Sequence, residues 1–243
     1  MDKSTQPKGS AEYINKLNII NLIRNQGQIS RADIVKQTGI SAPTVTRIVD
    51  SLIHREKLAV AEGMGTSSGG RPPVMVKFEG SYNYVIGIDW GHTHIYGILS
   101  DLNAKTLMEL DVETASDHDF NLDLQKVIGI IEQLIDQSRK KKKKILGIGI
   151  AAAGFVNKST GIIEYSPNFK WKNVNVQQPI YDFFKIPVIV DNVTRVMALG
   201  ELWYGLGQKI KDFILVSVGH GIGAGIIMNG EPYYGFDGIS GEI

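Results

Sequence analysis

Apolar positions between residues 30 and 55 recur with helical spacing in two short blocks. Ala32, Ile34 and Val35 mark the apolar side of the first. Val45, Ile48, Val49, Leu52 and Ile53 fall at i, i+3, i+4, i+7 and i+8 in the second, a single buried stripe. Gly39 supplies a sharp turn between them. Ser41 stands where an N-cap side chain accepts a backbone N–H, and Pro43 lies in the first turn, where a missing N–H costs nothing. Upstream, Tyr13, Leu17, Ile20, Leu22 and Ile23 predict the apolar side of a helix over residues 11–25 that closes a three-helix core. Downstream, Leu58–Ala61 and Val74–Phe78 read as two short strands. Between them GMGTSSGGRPP is a loop by its Gly, Ser and Pro content.

Helix, helix, helix, hairpin is the plan of a winged helix-turn-helix. The stripe leaves Ser41, Thr44, Thr46 and Arg47 near the exposed N-terminal part of the second block, where side chains meet base edges in a major groove. The bland reading of the two blocks is an ordinary helical hairpin. Arg71, flanked by glycine and held extended by Pro72 and Pro73, suits a narrow minor groove. The same loop also reads as a hinge with Arg71 solvated.

From Val85 onward the periodicity changes. YVIGIDWGHTHIYGILSD reads as strand, Gly-containing turn, strand, and Leu107–Thr114 as another strand. A helix from about Leu122 buries Val127, Ile130, Ile131 and Leu134. ILGIGIAAAG is a strand, TGIIEYSPNFKW an extended loop and PVIVDN a strand end. VTRVMALGELWYG is a helix, and FILVSVGHGIGAGIIMNG a Gly-interrupted strand pair. Strands alternating with helices predict an α/β fold.

The 243 residues, 43% hydrophobic, suffice for more than one domain. No run approaches a membrane span and no signal peptide opens the chain, so the expectation is a soluble cytoplasmic protein with no membrane partner. Cysteine is absent, which excludes disulfides and thiol chemistry in this stretch. Residues 1–80 carry 11 Lys/Arg against 7 Asp/Glu, the remainder 15 against 18. A basic head on a mildly acidic body suits a head that meets phosphate. The run Arg139–Lys144 ends a helix, where cations oppose the dipole, and reads as a solvated helix end.

Five motifs in order, SSGGRPPV, GIDWGHT, GIAAAGFVNKSTG, SPNFKW, and GHGIGAGIIMNG followed by GEI, resemble the ROK family of repressors and sugar kinases. The resemblance implies a winged head on an actin-like/hexokinase-type (ribonuclease H-like) body. Residues 1–80 would form the head with its wing and linker, 81–195 the first lobe, and 196–243 the start of an incomplete second lobe. The head places the chain with the family's transcription regulators, of the xylose- and N-acetylglucosamine-repressor kind. The family's kinases lack that head.

The resemblance also shows departures. Kinases of the family carry Asp-x-Gly-Gly-Thr-Lys against the nucleotide phosphates. Here Asp89, Gly91 and Thr93 match, but His92 and His94 replace Gly and Lys. The second phosphate turn, usually Gly-Thr-Gly, is Gly219-His220-Gly221. The catalytic Asp of Glu-Asn-Asp-Ala-Asn aligns with Val193, which accepts no proton. A degenerate nucleotide site and no catalytic residue are expected, with neighbouring Asp191 the one possible substitute base. His92, His94 and His220 have three readings: fillers of vacated phosphate space, a pH-sensitive switch, or a metal site.

Sugar-binding positions implied by the family are Gly154, Asn168, Asn192 and Glu242. Amides and a carboxylate suit a polyol. As structural residues, Asn168 is a turn position after Pro167 and Asn192 a helix N-cap. Trp171 is the candidate for stacking on a sugar, and Trp203 reads as core. The family's zinc ligands would lie beyond Ile243, so no cofactor is expected in this stretch. Missing second-lobe segments would leave apolar surface exposed. The implied function is a DNA-binding repressor of carbohydrate genes, acting as a homodimer on double-stranded operator DNA and released by a small sugar. A residual sugar kinase and a regulator whose body binds a protein are the alternatives.

Overall fold

The computed structural model describes residues 10–65, 72–157, 159–236 and 238–242. The chain divides between Asn83 and Tyr84 into two units.

The first unit comprises α1 (Ala11–Gln26), β1 (Gln28–Ser30), α2 (Arg31–Thr38), α3 (Ala42–His54), β2 (Ala59–Met64) and β3 (Val74–Phe78). Local chemistry sets the helix ends. The Ser10 hydroxyl accepts from Tyr13 N–H, and that of Ser30 from Asp33 N–H. Gly39 closes α2 at φ +69°, a conformation that penalises a Cβ, and its N–H donates to Val35 O. Val45, Ile48, Val49 and Leu52 of α3 are buried against Ile34 of α2 and Ile19 and Ile23 of α1. Each such side chain contributes about 1.5–3 kcal/mol of hydrophobic burial.

Four sequence expectations change here, the first being Ala32, which is exposed while Ile34 is buried and Val35 half-buried. The fully buried stripe of α1 is Ile19 and Ile23, with Ile20 and Leu22 packed beside it, whereas Leu17 is 40% exposed. The Ser41 hydroxyl makes no backbone cap bond and pairs instead with the Thr44 hydroxyl at 2.9 Å. A third strand, β1, joins the wing in the order β1-β3-β2 and pairs Ile29 with Val76. Three residues are too short for any periodicity to announce it. The unit extends to Asn83, whose buried amide donates to Glu56 O at 2.9 Å.

The second unit runs β4 (Tyr84–Trp90), β5 (His94–Asp101), β6 (Thr106–Glu113), α4 (Phe120–Lys140), β7 (Ile145–Ala152), β8 (Phe155–Asn157), β9 (Ile162–Ser166) and β10 (Trp171–Asn175). It continues through α5 (Gln177–Phe184), β11 (Val188–Asn192), α6 (Val193–Tyr204), a 3-10 turn (Leu206–Lys209), β12 (Phe213–Val218), β13 (Ile222–Met228) and β14 (Glu231–Pro232). The main sheet has the order β11-β7-β4-β5-β6. β11, β7 and β4 run parallel, and β5 and β6 return antiparallel. The helix α4 begins where Asp119 accepts from Asn121 N–H and Leu122 N–H, two residues before the predicted start. It packs Val127, Ile130, Ile131 and Leu134 in one core with Ile86, Ile88, Ile95 and Leu99 of the sheet.

Two smaller antiparallel sheets, β10-β9-β8 and β12-β13-β14, complete the unit. On the outward side of β12, Ile214, Val216 and Val218 are 64%, 57% and 76% exposed. No helix among the described residues is long and apolar enough to cross a membrane.

Candidate functional site

In the first unit, burying the apolar stripe of α3 turns Ser41, Thr46 and Arg47 outward, with Thr44 half-buried beside them. Arg47 pairs with Glu12 of α1. Arg31 of α2 reaches Asp50 of α3 at 2.6 Å and ties the two helices together. The remaining DNA candidate, Arg71, lies outside the described residues.

In the second unit, β11 ends at Asn192 and α6 begins at Val193. Asn192 performs two tasks. Its Oδ1 accepts from Thr194 N–H at 2.8 Å, capping α6. Its Nδ2 donates to Gly154 O at 3.0 Å and approaches Glu242 Oε1 at 3.5 Å. One end of the amide thus caps α6 and the other ties Gly154 to the start of that helix. Gly154 sits at φ +118°, and a Cβ there would lie 2.5 Å from Tyr165 O, so the bend requires glycine. Glu242 is placed by pairing of 241–242 with β13: Ala224 N–H donates to Gly241 O at 2.7 Å, and Glu242 bridges Gly223. Partial burial pushes the Glu242 carboxyl above its usual range, while the nearby Arg195 charge opposes the shift. Asn168 is not in this hydrogen-bonded group; its amide lies by Gly221, at 3.7 Å from where a Cβ on that glycine would sit.

Asp191 and Arg195 form a buried pair; the sequence reading weighed Asp191 only as a substitute base and did not single out Arg195. Arg195 is 1% exposed. Its Nε donates to Asp191 Oδ1 at 2.8 Å and its Nη1 to Gly238 O at 2.7 Å. Asp191 Oδ1 also accepts from Asn192 N–H at 2.7 Å, and Oδ2 accepts from the Tyr234 hydroxyl at 3.2 Å. Three hydrogen bonds and the Arg195 charge thus hold Asp191 in a structural role between β11 and α6. The i, i+4 spacing of Asp191 and Arg195 was the available signal.

The degenerate nucleotide positions cluster elsewhere in the unit. Asp89 is the next-to-last residue of β4, and burial raises its carboxyl above the usual range. Gly91 and Thr93 form the β4–β5 turn, and Gly219 and Gly221 the β12–β13 turn, closed by Gly219 N–H to Gly221 O at 2.9 Å. The rings of His92 and His220 lie 5.1 Å apart, and a third imidazole, His118, lies 4.4 Å from His92. His118 comes from the loop before α4, and no spacing in the sequence links it to the other two. His94 is not part of this cluster: its Nδ1 is 2.8 Å from Asp111 Oδ1. Among the described residues no group of three or more His, Cys, Asp or Glu side chains has metal-holding geometry. His92, His94 and His220 therefore do not converge on one point, His94 being turned to Asp111. Desolvation, then the neighbouring His118 and His220, lower the His92 pKa from its usual value. A recess of about 340 Å³ opens here, lined by His92, Thr93, Glu113, Thr114, Ser116 and His118 among others.

Both tryptophan expectations reverse. Trp171 is 6% exposed, stacked 4.3 Å from Phe169, with its Nε1–H donating to His118 O at 2.8 Å; it is core. Trp203 is 52% exposed, although the neighbouring Leu199 and Leu202 are half-buried.

Comparison with known proteins adds the following. A family model described as the ROK family matches residues 85–243, and one described as winged helix-turn-helix DNA-binding matches residues 14–54. The xylose repressor of Caldicellulosiruptor bescii is 36% identical over 232 residues, covering 96% of this chain and 58% of its own length. The N-acetylglucosamine repressor of Escherichia coli is 30% identical over 238 residues, covering 97% of this chain and 58% of its own. The chain thus spans 58% of the length of these curated relatives. A solved ROK family transcriptional regulator, a homologue of the E. coli MLC protein, superposes with a TM-score of 0.83 at 27% identity, covering 95% of this chain and 58% of that one. A ROK family glucokinase from Streptomyces griseus, solved with glucose and AMPPNP, superposes with a TM-score of 0.60 at 26% identity, covering 66% of this chain and 49% of that one.

Proposed function

The chain belongs to the ROK family, and from that premise we propose that it is a DNA-binding transcriptional repressor of carbohydrate genes whose grip on DNA is relieved by a small sugar. The observation that carries this reading is α3. Its Val45, Ile48, Val49 and Leu52 are sealed in the core while Ser41, Thr46 and Arg47 project together from its N-terminal half. That half of a recognition helix reads base edges in the major groove. Arg71 in the wing loop is assigned to the adjacent minor groove. A single head covers only a half-site, so the proposed operator complex is a symmetric dimer.

The body supports effector binding without phosphoryl transfer. Val193 occupies the base position, Asp191 is hydrogen-bonded to Arg195 and Tyr234, and imidazoles occupy both phosphate turns. Gly154, Asn192 and Glu242 retain a polar cradle for a polyol, with Asn168 assigned to its rim. Release requires that the sugar bind the form with low DNA affinity more tightly than the DNA-bound form.

Fluorescence anisotropy on DNA from upstream of the chain's own gene and neighbouring sugar genes tests this, with and without free aldoses and amino sugars. Sequence-specific binding released by one sugar is expected. Weak, salt-sensitive binding that ignores sequence would overturn the operator reading. Specific binding that no sugar alters, together with a body whose thermal stability no sugar raises, would replace the sugar by a protein effector.

A further inference from the structure

The six cations at residues 139–144 exceed what the end of α4 requires. Cations offset a helix dipole only within its last turn, and α4 ends at Lys140. Arg139 pairs with Asp136 at 3.1 Å. Lys140, Lys141, Lys142 and Lys144 are exposed and make no ion pair among the described residues. The backbone that carries them is fixed. Lys142 N–H donates to Arg139 O at 2.9 Å, Lys143 N–H to Ser138 O at 3.1 Å, and the Ser138 hydroxyl to Lys143 O at 2.8 Å. Like charges crowded on a fixed turn repel one another, so the cluster favours an anionic partner. Outside this run, residues 81–243 hold 9 Lys/Arg against 18 Asp/Glu. The body is thus acidic apart from this patch.

Sheet register fixes where the patch lies. Lys144 leads directly into β7, whose first residue, Ile145, is paired with Tyr84, the first residue of β4. Tyr84 N–H donates to Lys144 O at 2.9 Å. Tyr84 is also where the second unit begins. In the first unit the preceding residue, Asn83, donates to Glu56 O and Lys57 O, just past the end of α3. The patch therefore lies one hydrogen bond from the peptide at which the body joins the DNA-reading unit, whatever angle the two units take. The proposed sugar cleft at Gly154 and Asn192 lies at the opposite ends of β7 and β11, about 25 Å away along the strands. We propose that Lys140, Lys141, Lys142 and Lys144 form a second, sequence-independent DNA contact that binds the phosphate backbone of the duplex held by the head. This rests on the DNA-binding reading of the head given above. Attachment beside the head, and not charge alone, selects DNA over a lipid surface. Phosphate contacts of this kind add affinity and fix register, while base contacts carry the sequence information.

The test is fluorescence anisotropy of the full chain on two duplexes of about 40 bp, one from upstream of the chain's own gene and one of scrambled sequence, between about 50 and 200 mM salt. Lys140→Gln, Lys141→Gln and Lys142→Gln together remove three phosphate contacts. The slope of log affinity against log salt is expected to become shallower by about two to three. Binding of both duplexes is expected to weaken by about ten-fold or more at the low-salt end, with the ratio between them unchanged. Lys140→Arg, Lys141→Arg and Lys142→Arg together keep the charges and are expected to keep the wild-type slope. Lys144→Gln lies beyond the helix, is expected to lower the slope by about one, and serves if the triple glutamine variant does not fold. Wild-type slope and affinity in a folded glutamine variant would overturn the inference and leave the head reading standing. So would a changed ratio between the duplexes at unchanged slope. Unchanged DNA binding with glutamine-sensitive binding to phosphatidylglycerol vesicles would overturn the DNA contact and give the run to a lipid surface. No binding of either duplex by the wild-type chain would overturn the repressor reading, and this inference with it.

Discussion

Replacing Asn192 by alanine strikes the point where the helix cap and the proposed cleft share one side chain. Asn192 is 5% exposed. Losing its cap of α6 costs about 1 kcal/mol. Leaving the Gly154 carbonyl without its 3.0 Å donor adds about 1–3 kcal/mol. Thr194 loses its 2.6 Å acceptor on Asn192 but keeps Ala224 O at 3.1 Å, so it adds little. The expected loss is about 2–4 kcal/mol, which lowers the melting temperature of the second unit by about 5–15 °C. Asn192→Asp separates the two parts. It restores the acceptor for the cap but places a carboxylate against Gly154 O, Asp191 and Glu242. The folded state then favours the protonated form of the new side chain, so its deficit relative to wild type should shrink as pH falls through the carboxylate range. Urea unfolding followed by circular dichroism at pH 7 and pH 4.5 reads both effects. An Asn192→Ala midpoint equivalent to wild type within about 0.5 kcal/mol would refute the shared-residue account.

The cluster of imidazoles makes a pH prediction. The His92 pKa is lowered in the fold, so unfolding takes up protons. The His92 contribution is intact above the ordinary pKa of 6.5 and is lost as pH falls below it toward the depressed folded value. His92→Asn should flatten the fall in melting temperature between pH 7 and pH 5.5 relative to wild type; parallel curves would count against the cluster. Gly154→Ala forces a Cβ to within 2.5 Å of Tyr165 O at φ +118° and should cost about 1–3 kcal/mol in strain, read as a lower urea midpoint. Leu52→Ala empties a fully buried position of α3 and should cost the first unit about 2–5 kcal/mol. Native-state hydrogen exchange of α3 amides measures it, and unchanged protection would contradict the core assignment.

Much of the molecule was legible because local periodicity and burial coincide. The stripe of α3 predicted Val45, Ile48, Val49, Leu52 and Ile53 as core; the first four are buried and Ile53 is half-buried. The α4 stripe of Val127, Ile130, Ile131 and Leu134 did the same. The readings that changed were decided by neighbours distant in sequence. Trp171 is enclosed by Trp90, Phe120 and Phe169, and its own SPNFKW context does not show them. The α1 face turned on which of two adjacent apolar rows α2 and α3 cover, and they cover Ile19 and Ile23.

The sequence by itself showed most of the element order, though not β1, β8, β9, β10 or α5, together with the helix-turn-helix, the family resemblance and Val193 at the position of the kinase base. Each depends on residue identity at a short spacing, and hydrophobic period and side-chain chemistry are local properties. Tertiary structure alone decided which polar groups meet. It brought His118 to His92 across 26 positions and Glu242 to Asn192 across 50. It also gave both oxygens of Asp191 hydrogen-bond partners and left one nitrogen of Arg195 without a partner among the described residues. Those outcomes follow from sheet order and the return of residues 241–242 to β13. A buried hydrogen bond depends on positions in space to a few tenths of an ångström, and no spacing along the chain encodes that.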